Sequence, residues 1–349
     1  MASQISIQKV LVVRNDKLGD FMLIYPALAL LKKSVTNIHI TVLVPHYTSD
    51  MAKVCPWVDE IIIDPGSKAT FSEQYKLLKR LKKLQFDAII TLYSTSRIGF
   101  LALLAGIRYR LAPATKIAQI FYNQKLTQRR SRSQKPEFEY NVDVAKKFLS
   151  DFNIKSNISL EPPFLKFNTE EIHSLRDQFY EKHQIPKHVK LIFVHPGTGG
   201  SANNLTIEQY ANLIQQLKLG KNFYFVITAG PDELEYAESL SKLLFNIPHV
   251  IFHSAHGLVN FAKHLCLANL FISGSTGTLH IAGALDIPTA AFYQRLRSAT
   301  PLRWQTLNTS MNRLAFTPPD NANETEMKKI DTTKAAQEIV KFYFESPPR

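Results

Sequence analysis

VLVVRNDKLGDFMLIYPAL occupies residues 10–28. Val10 to Val13 form a short, largely β-branched apolar run, the pattern of a strand buried on both faces. A short polar turn follows, and a helix is predicted to begin near Gly19-Asp20, with an amphipathic stretch over Ile24–Lys33. Strand, tight turn and helix in this order make up half of a βαβ unit, the connection that parallel strands require.

The same alternation continues outward from this segment. Lys9–Val13, His39–Val44, Glu60–Asp64 and Asp87–Leu92 read as short buried strands, and Glu73–Leu84 as an amphipathic helix between the last two. Leu191–His195, Phe223–Thr228, Val250–His253, Leu270–Ser273 and Thr289–Tyr293 repeat the scheme in the second half. Two parallel sheets covered by helices follow, an α/β chain of two Rossmann-like halves. Consecutive prolines at 162 and 163 cannot continue a helix or a central strand. They divide the expected domains at 1–162 and 163–349, which suits a chain of 349 residues. Asp331–Phe344 has helical spacing and is expected to pack as a terminal helix, with Ser346–Arg349 frayed beyond it. Gln124–Pro136, QKLTQRRSRSQKP, is polar, basic and aperiodic, and reads as a mobile loop.

The composition, 45% hydrophobic and 20% charged, is that of a folded globular protein rather than a disordered one. No apolar run approaches the roughly 18 residues that span a bilayer. The first ten residues lack an apolar signal core, so the chain is expected in the cytoplasm. Cys55 and Cys266 show no metal or redox spacing and are expected to be buried free thiols. The formal charge of +13 is unevenly distributed. Residues 1–160 carry 24 Lys and Arg against 12 Asp and Glu, while the remainder carries 18 against 17. From Ala88 to Pro136 there are nine basic residues and no acid. Such asymmetry fits a surface that meets anions: a phosphorylated substrate, acidic lipid headgroups or nucleic acid. No nucleic-acid motif accompanies the charge, so a nucleic-acid partner is not expected.

Three segments carry candidate chemistry, each at the carboxyl end of an expected strand, where open α/β sheets bind ligands. In the first, Asp16, Lys17, Gly19 and Asp20 share the turn after Val13. Gly19 permits close approach or an unusual backbone angle. Asp20 is either a helix cap or a carboxylate able to take a proton. In the second, Gly197, Thr198, Gly199 and Gly200 offer backbone N–H groups and a hydroxyl ahead of a helix, a combination suited to a diphosphate. In the third, Gly274-Ser275-Thr276-Gly277 leads into a helix with His280, Ala282 and Ala284. Small residues there admit close approach, and Ser275, Thr276 and the Gly277 N–H can bind phosphate or ribose. A lone helical histidine such as His280 is more often a satisfied structural residue. Neither GxGxxG nor a Walker A pattern occurs, which disfavours NAD or P-loop chemistry.

Together, in order and spacing, these segments resemble the heptosyltransferase family, glycosyltransferase family 9. The resemblance is carried by Arg14-NDKLGD-Asp20 with Pro26-Ala27-Leu28, by the His-Pro-Gly turn at 195–197, and by Ser275-TGTLHIAGAL-Leu285. It implies a GT-B fold, two Rossmann-like domains facing a central cleft, with the acceptor on the first and the nucleotide sugar mainly on the second. It makes Asp20 the catalytic base and places Lys17, Gly19, Thr198, Gly199, Asn203, Glu233, His256, Ser275, Thr276, Gly277 and His280 at the donor, with Glu233 on the ribose and His256 near adenine. Asn203 and Leu205 stand where the family carries a phosphate-binding Lys and a Trp. Lys17, Arg295 or Arg297 could supply the missing charge.

The implied reaction is an inverting transfer, heptose from ADP-heptose onto a lipopolysaccharide inner-core acceptor. No cofactor is implied beyond the nucleotide sugar, and without an Asp-x-Asp no metal site. Arg129, Arg130 and Arg132 are expected to meet an acidic glycolipid acceptor. The protein would then be a monomer in peripheral contact with the anionic inner membrane of a Gram-negative bacterium. A nucleotide-sugar epimerase of the same fold, or a catalytically weak relative, is the alternative.

Overall fold

The computed structural model describes residues 7–114, 117–199 and 203–345. Gly200, the expected signal-free N-terminal residues 1–6 and the expected frayed end 346–349 lie outside the described residues. The chain divides into two compact units, Met1–Glu161 and Pro162–Arg349.

In the first unit the chain order begins β1 (Lys9–Val13), α1 (Leu18–Met22), α2 (Tyr25–Ser34), β2 (His39–Val44), α3 (Ser49–Lys53) and β3 (Glu60–Ile63). It continues with α4 (Phe71–Leu84), β4 (Ala88–Thr91), α5 (Ser96–Leu104), β5 (Tyr109–Pro113), β6 (Gln124–Leu126) and α6 (Glu137–Asp151). The strands lie in the order β3-β2-β1-β4-β5-β6, with parallel pairing throughout. In β1 everything after Lys9 is buried, because helices cover both faces of the sheet. Leu11, Val13, Leu43 and Ile89 meet Leu77 and Leu81 of α4 and Ile98 and Leu101 of α5. On the first unit's other helices, α2 packs against α6.

The second unit opens with α7 (Thr169–Lys182), β7 (Lys190–His195), α8 (Ile207–Lys218), β8 (Phe223–Ala229), α9 (Leu234–Lys242) and β9 (His249–His253). There follow α10 (Gly257–Leu265), β10 (Leu270–Gly274), α11 (Gly277–Ala284), β11 (Thr289–Phe292), β12 (Arg313–Phe316) and α12 (Thr332–Val340). The order β12-β11-β10-β7-β8-β9 repeats the topology of the first sheet, again all parallel. Ile192, Val194, Phe225, Ile227 and Ile272 pack with Tyr210, Leu213 and Leu217 of α8 and Ala335 and Ile339 of α12. Burial of a large apolar side chain such as Ile339 contributes about 1.5–3 kcal/mol, so the terminal helix is part of the core. In both sheets the order in which strands are added reverses beside the first strand, between β1 and β4 and between β7 and β10. A sheet of this order binds ligands at that switch point.

The basic stretch 124–136 is more ordered than its composition predicts. Gln124–Leu126 pairs with Leu111–Pro113 as the edge strand β6, and a 3-10 turn covers Arg130–Arg132. Backbone hydrogen bonds alone hold a three-residue edge strand, which leaves no periodicity to read. Cys55 is buried as expected, but Cys266 is only half-buried; both thiols are free and pushed up by burial, to about 12 and about 11. No helix among the described residues is long and apolar enough to cross a membrane.

Candidate active site

At the switch point of the first sheet, β1 ends one residue before Arg14, whose side chain is buried. Its Nε donates to Asp16 at 2.8 Å, its Nη1 to Glu137 at 3.0 Å and Asn141 at 3.2 Å, and its Nη2 to the Asp20 carboxylate. Asp20 lies inside α1, where Lys17 is the N-cap and no side chain caps the helix. The capping role is therefore excluded: the buried guanidinium engages the carboxylate instead. Burial raises Asp20 to about 6; Arg14 pulls it down, and the negative charges of Asp16 and Glu137 push it back up. A carboxylate at about 6 is ionised at neutral pH yet basic enough to accept a proton in a transition state. Lys17 is exposed. Gly19 sits within α1 and not among the left-handed glycines, so its expected unusual angle is absent and only its small size remains.

The basic segment divides by role. Arg130 donates to Glu137, to Leu92 O at 3.2 Å and to Gln128 at 2.9 Å, and is largely buried. Glu137, 1% exposed, therefore joins Arg130 to Arg14 and so to Asp20. Arg129 and Arg132 are exposed. Lys135 pairs with Asp143 and lies 4.9 Å from the Tyr140 ring centroid.

In the second unit three loops converge beside β7 and β10. The Glu233 carboxylate accepts the Gly199 N–H at 2.8 Å and the Gly230 N–H at 3.0 Å, stapling the turn after β7 to the turn after β8. It packs against Gly197, where a Cβ would lie 2.3 Å from its carboxyl carbon, so a side chain there would displace the Glu233 carboxylate from this position. Gly199 itself has φ +53°, in the left-handed region. His195, buried, lies 3.5 Å from Glu233 through Nε2 and bonds Thr228 Oγ1 at 3.0 Å; burial lowers its pKa. The glycine-rich turn does not run straight into a helix. α8 begins only at Ile207, and a capping box between Thr206 and Gln209 closes its N-terminus.

The end of α11 is different. Thr276 is its N-cap without a side-chain cap bond, and its hydroxyl meets those of Ser273 at 3.1 Å and Thr278 at 2.8 Å. Among the described residues no side-chain cap takes the first-turn N–H groups, starting at Gly277, which suits them to another acceptor. His280, one turn on, is 3% exposed; its Nδ1 has no hydrogen-bond partner among the described residues, and burial lowers it to about 4. The expectation of a satisfied structural histidine is corrected: this is a buried neutral imidazole. Ser275 is in the turn before the helix. His256 caps α10 through its backbone and is exposed.

Asn203 is exposed and Leu205 is part of the core. Arg295 is committed to the 320–322 segment, bonding Ala322 O at 2.7 Å and pairing with Asp320, whereas Arg297 is exposed. Two residues escaped the sequence reading. Asn204 bonds Pro196 O at 3.0 Å and the Tyr210 hydroxyl at 2.8 Å, and lies so close to Gly274 that a Cβ there would meet it at 2.5 Å. Lys328 shares a pocket with Asn203, Asn204, Thr206, Asn323 and Thr325. The glycines at 197 and 274 were a signal for such close approaches, but the partners are distant in sequence. No three His, Cys, Asp or Glu side chains gather as metal ligands among the described residues.

A family model described as glycosyltransferase family 9 (heptosyltransferase) matches residues 74–334. A Haemophilus influenzae protein named as a candidate glycosyltransferase is 44% identical over 336 residues, 96% of each chain. In fold, the chain is similar to the family 9 glycosyl transferase of Veillonella parvula, with TM-score 0.79 at 17% identity over 99% of both chains. It is also similar to the Escherichia coli ADP-heptose lipopolysaccharide heptosyltransferase II, with TM-score 0.78 at 17% identity over 97% of this chain and 99% of that one.

Proposed function

The chain belongs to glycosyltransferase family 9 and is a glycosyltransferase, and on that premise we propose that it moves a heptose from an ADP-linked donor onto the inner core of lipopolysaccharide, with inversion. The observation that carries this reading is Asp20, a buried carboxylate raised to about 6 at the first switch point. The acceptor hydroxyl gives its proton to Asp20 as its oxygen forms a bond to the anomeric carbon. The bond from that carbon to the diphosphate breaks, and the diphosphate leaves with the electron pair. The N-terminus of α11, with Gly277 and Thr276, receives the developing charge. His280 contributes a hydrogen bond there as a neutral ring. Lys328, in the pocket of Asn203, stands in for the family's phosphate-binding lysine, so no metal is required. Glu233 keeps a free lone pair on each oxygen beside the glycine N–H groups it holds, and these accept the ribose hydroxyls. The Escherichia coli protein of similar fold is named for ADP-heptose, which supports the ADP-linked choice.

The acceptor is an acidic glycolipid at the cytoplasmic face of a Gram-negative inner membrane. Arg129 and Arg132 meet its anionic groups, whereas Arg130 acts through Glu137. The test is transfer measured with ADP-heptose against GDP- and UDP-sugars on a defined core acceptor. Turnover of donor without acceptor, or preference for another nucleotide, would overturn the assignment.

A further inference from the structure

α4 and α5 lie side by side on one face of the first sheet, and the 3-10 segment Ile117–Phe121 packs onto α5. Gly99 allows that contact, since a Cβ there would lie 2.7 Å from Phe121 Cβ, and the Phe100 and Phe121 rings are 5.7 Å apart. The inner sides of the helices are spent on the core through Leu77, Leu81, Ile98 and Leu101. Yet the outer side is not polar. Phe100, Leu103 and Leu104, at helical spacing i, i+3, i+4, are exposed, and so are Ile117 (73%) and Ile120 (67%). On α4, Phe71 is 86% exposed and stacks with Tyr75.

Cations lie on the same helix as Phe71 and Tyr75. Lys76, Lys79, Arg80, Lys82 and Lys83 are exposed on α4, with Lys79 lying 4.7 Å from the Tyr75 ring. The acids facing this helix are engaged: Glu73 in the capping box with Thr70, Glu60 with Arg80 at 2.9 Å. A charged run alone would be a solvated face. Large exposed apolar side chains grouped beside lysines are instead the pattern of a surface that enters a lipid headgroup layer.

We propose that this face, α4, α5 and residues 117–121, docks on an anionic lipid bilayer, its apolar side chains entering the headgroup boundary and the α4 lysines meeting lipid phosphates. Charge selects this occupant over a second copy of the chain. Two-fold pairing of the same face would set the lysine-rich helices against each other. The inference deepens the membrane placement of the acceptor proposed above. Its test uses neither donor nor acceptor, so the two readings fail separately.

The test is flotation of the full chain with vesicles of phosphatidylcholine alone and of phosphatidylcholine with phosphatidylglycerol, whose anionic headgroups attract basic residues. Leu103→Ser, Ile117→Ser and Ile120→Ser together should lower partitioning at least about tenfold at low and at high salt, as loss of buried apolar area does. Lys76→Ser, Lys79→Ser, Lys82→Ser and Lys83→Ser should lower it about fivefold per residue at low salt only. Phe100→Trp should show blue-shifted emission on vesicles and quenching by brominated lipid. Parent-like flotation of the apolar variant, an unshifted Trp emission, or a dimer in solution that the apolar variant dissolves without vesicle binding would each overturn the proposal.

Discussion

Replacing Glu137 by Gln should move the acid side of the activity profile to lower pH. Arg14 is shared by Asp16, Asp20 and Glu137, and Glu137 is also paired with Arg130. Three carboxylates and two guanidiniums leave this cluster one negative charge in excess, and that excess helps hold Asp20 up at about 6. In Glu137→Gln the side-chain amide keeps an acceptor oxygen for Arg14 but removes the charge. Two carboxylates bridged by one guanidinium lie about 6 Å apart, which at an effective dielectric of about 20 is roughly 2–3 kcal/mol of repulsion. Removing it should lower Asp20 by about one to two pH units. The base works only when ionised, so activity is lost as pH falls through its pKa; a lower pKa therefore extends activity to lower pH. Arg14 retains Asp16 and Asp20, so the stability cost should stay below the roughly 3–5 kcal/mol of a fully orphaned buried charge. The assay is kcat/KM for transfer from about pH 4.5 to 8, with the Asp20 carboxyl titrated in parallel by carbon-13 NMR. A folded Glu137→Gln protein whose acid limb is unmoved, or moved upward, would refute the reasoning.

Asp20→Asn should reduce transfer by roughly 10²–10⁴ with ADP affinity retained; full activity in the folded variant would remove Asp20 from the chemistry. Gly277→Val should abolish ADP binding measured by calorimetry, by placing a branched side chain at the first position of α11. Lys328→Ala should weaken ADP binding about tenfold or more, the worth of a charge-assisted hydrogen bond, and unchanged affinity would leave Asn203 without a substitute. Neutralising Arg129 and Arg132 should raise the acceptor KM at low salt and lose effect above roughly 0.5 M salt, while ADP binding holds.

Continuous apolar runs such as Val10–Val13 and Leu191–Val194 were legible as doubly covered strands because burial on both faces removes alternation locally. The turns after β1 and β10 were legible too, since glycine and a following helix are close together in the chain, and the turn after β7 was marked by its glycines although α8 starts only at Ile207. The inner strand β5 and the edge strands β6 and β12 were not, because pairing with a neighbour holds them and their side chains carry no period. The site shows the same division. Asp20 was marked by its motif, but its partner Arg14 is held by Glu137, 123 residues away. Glu233 was placed at the donor, yet its present bonds to Gly199 and Gly230 depend on β7 and β8 lying side by side. Lys328 reaches the pocket of Asn203 from the far end of the second unit. Local patterning thus specified strands, turns and the residue types at their ends. Only the folded sheets decided which distant charges share one guanidinium, because a Coulomb interaction depends on separation in space and leaves no periodic trace along the chain.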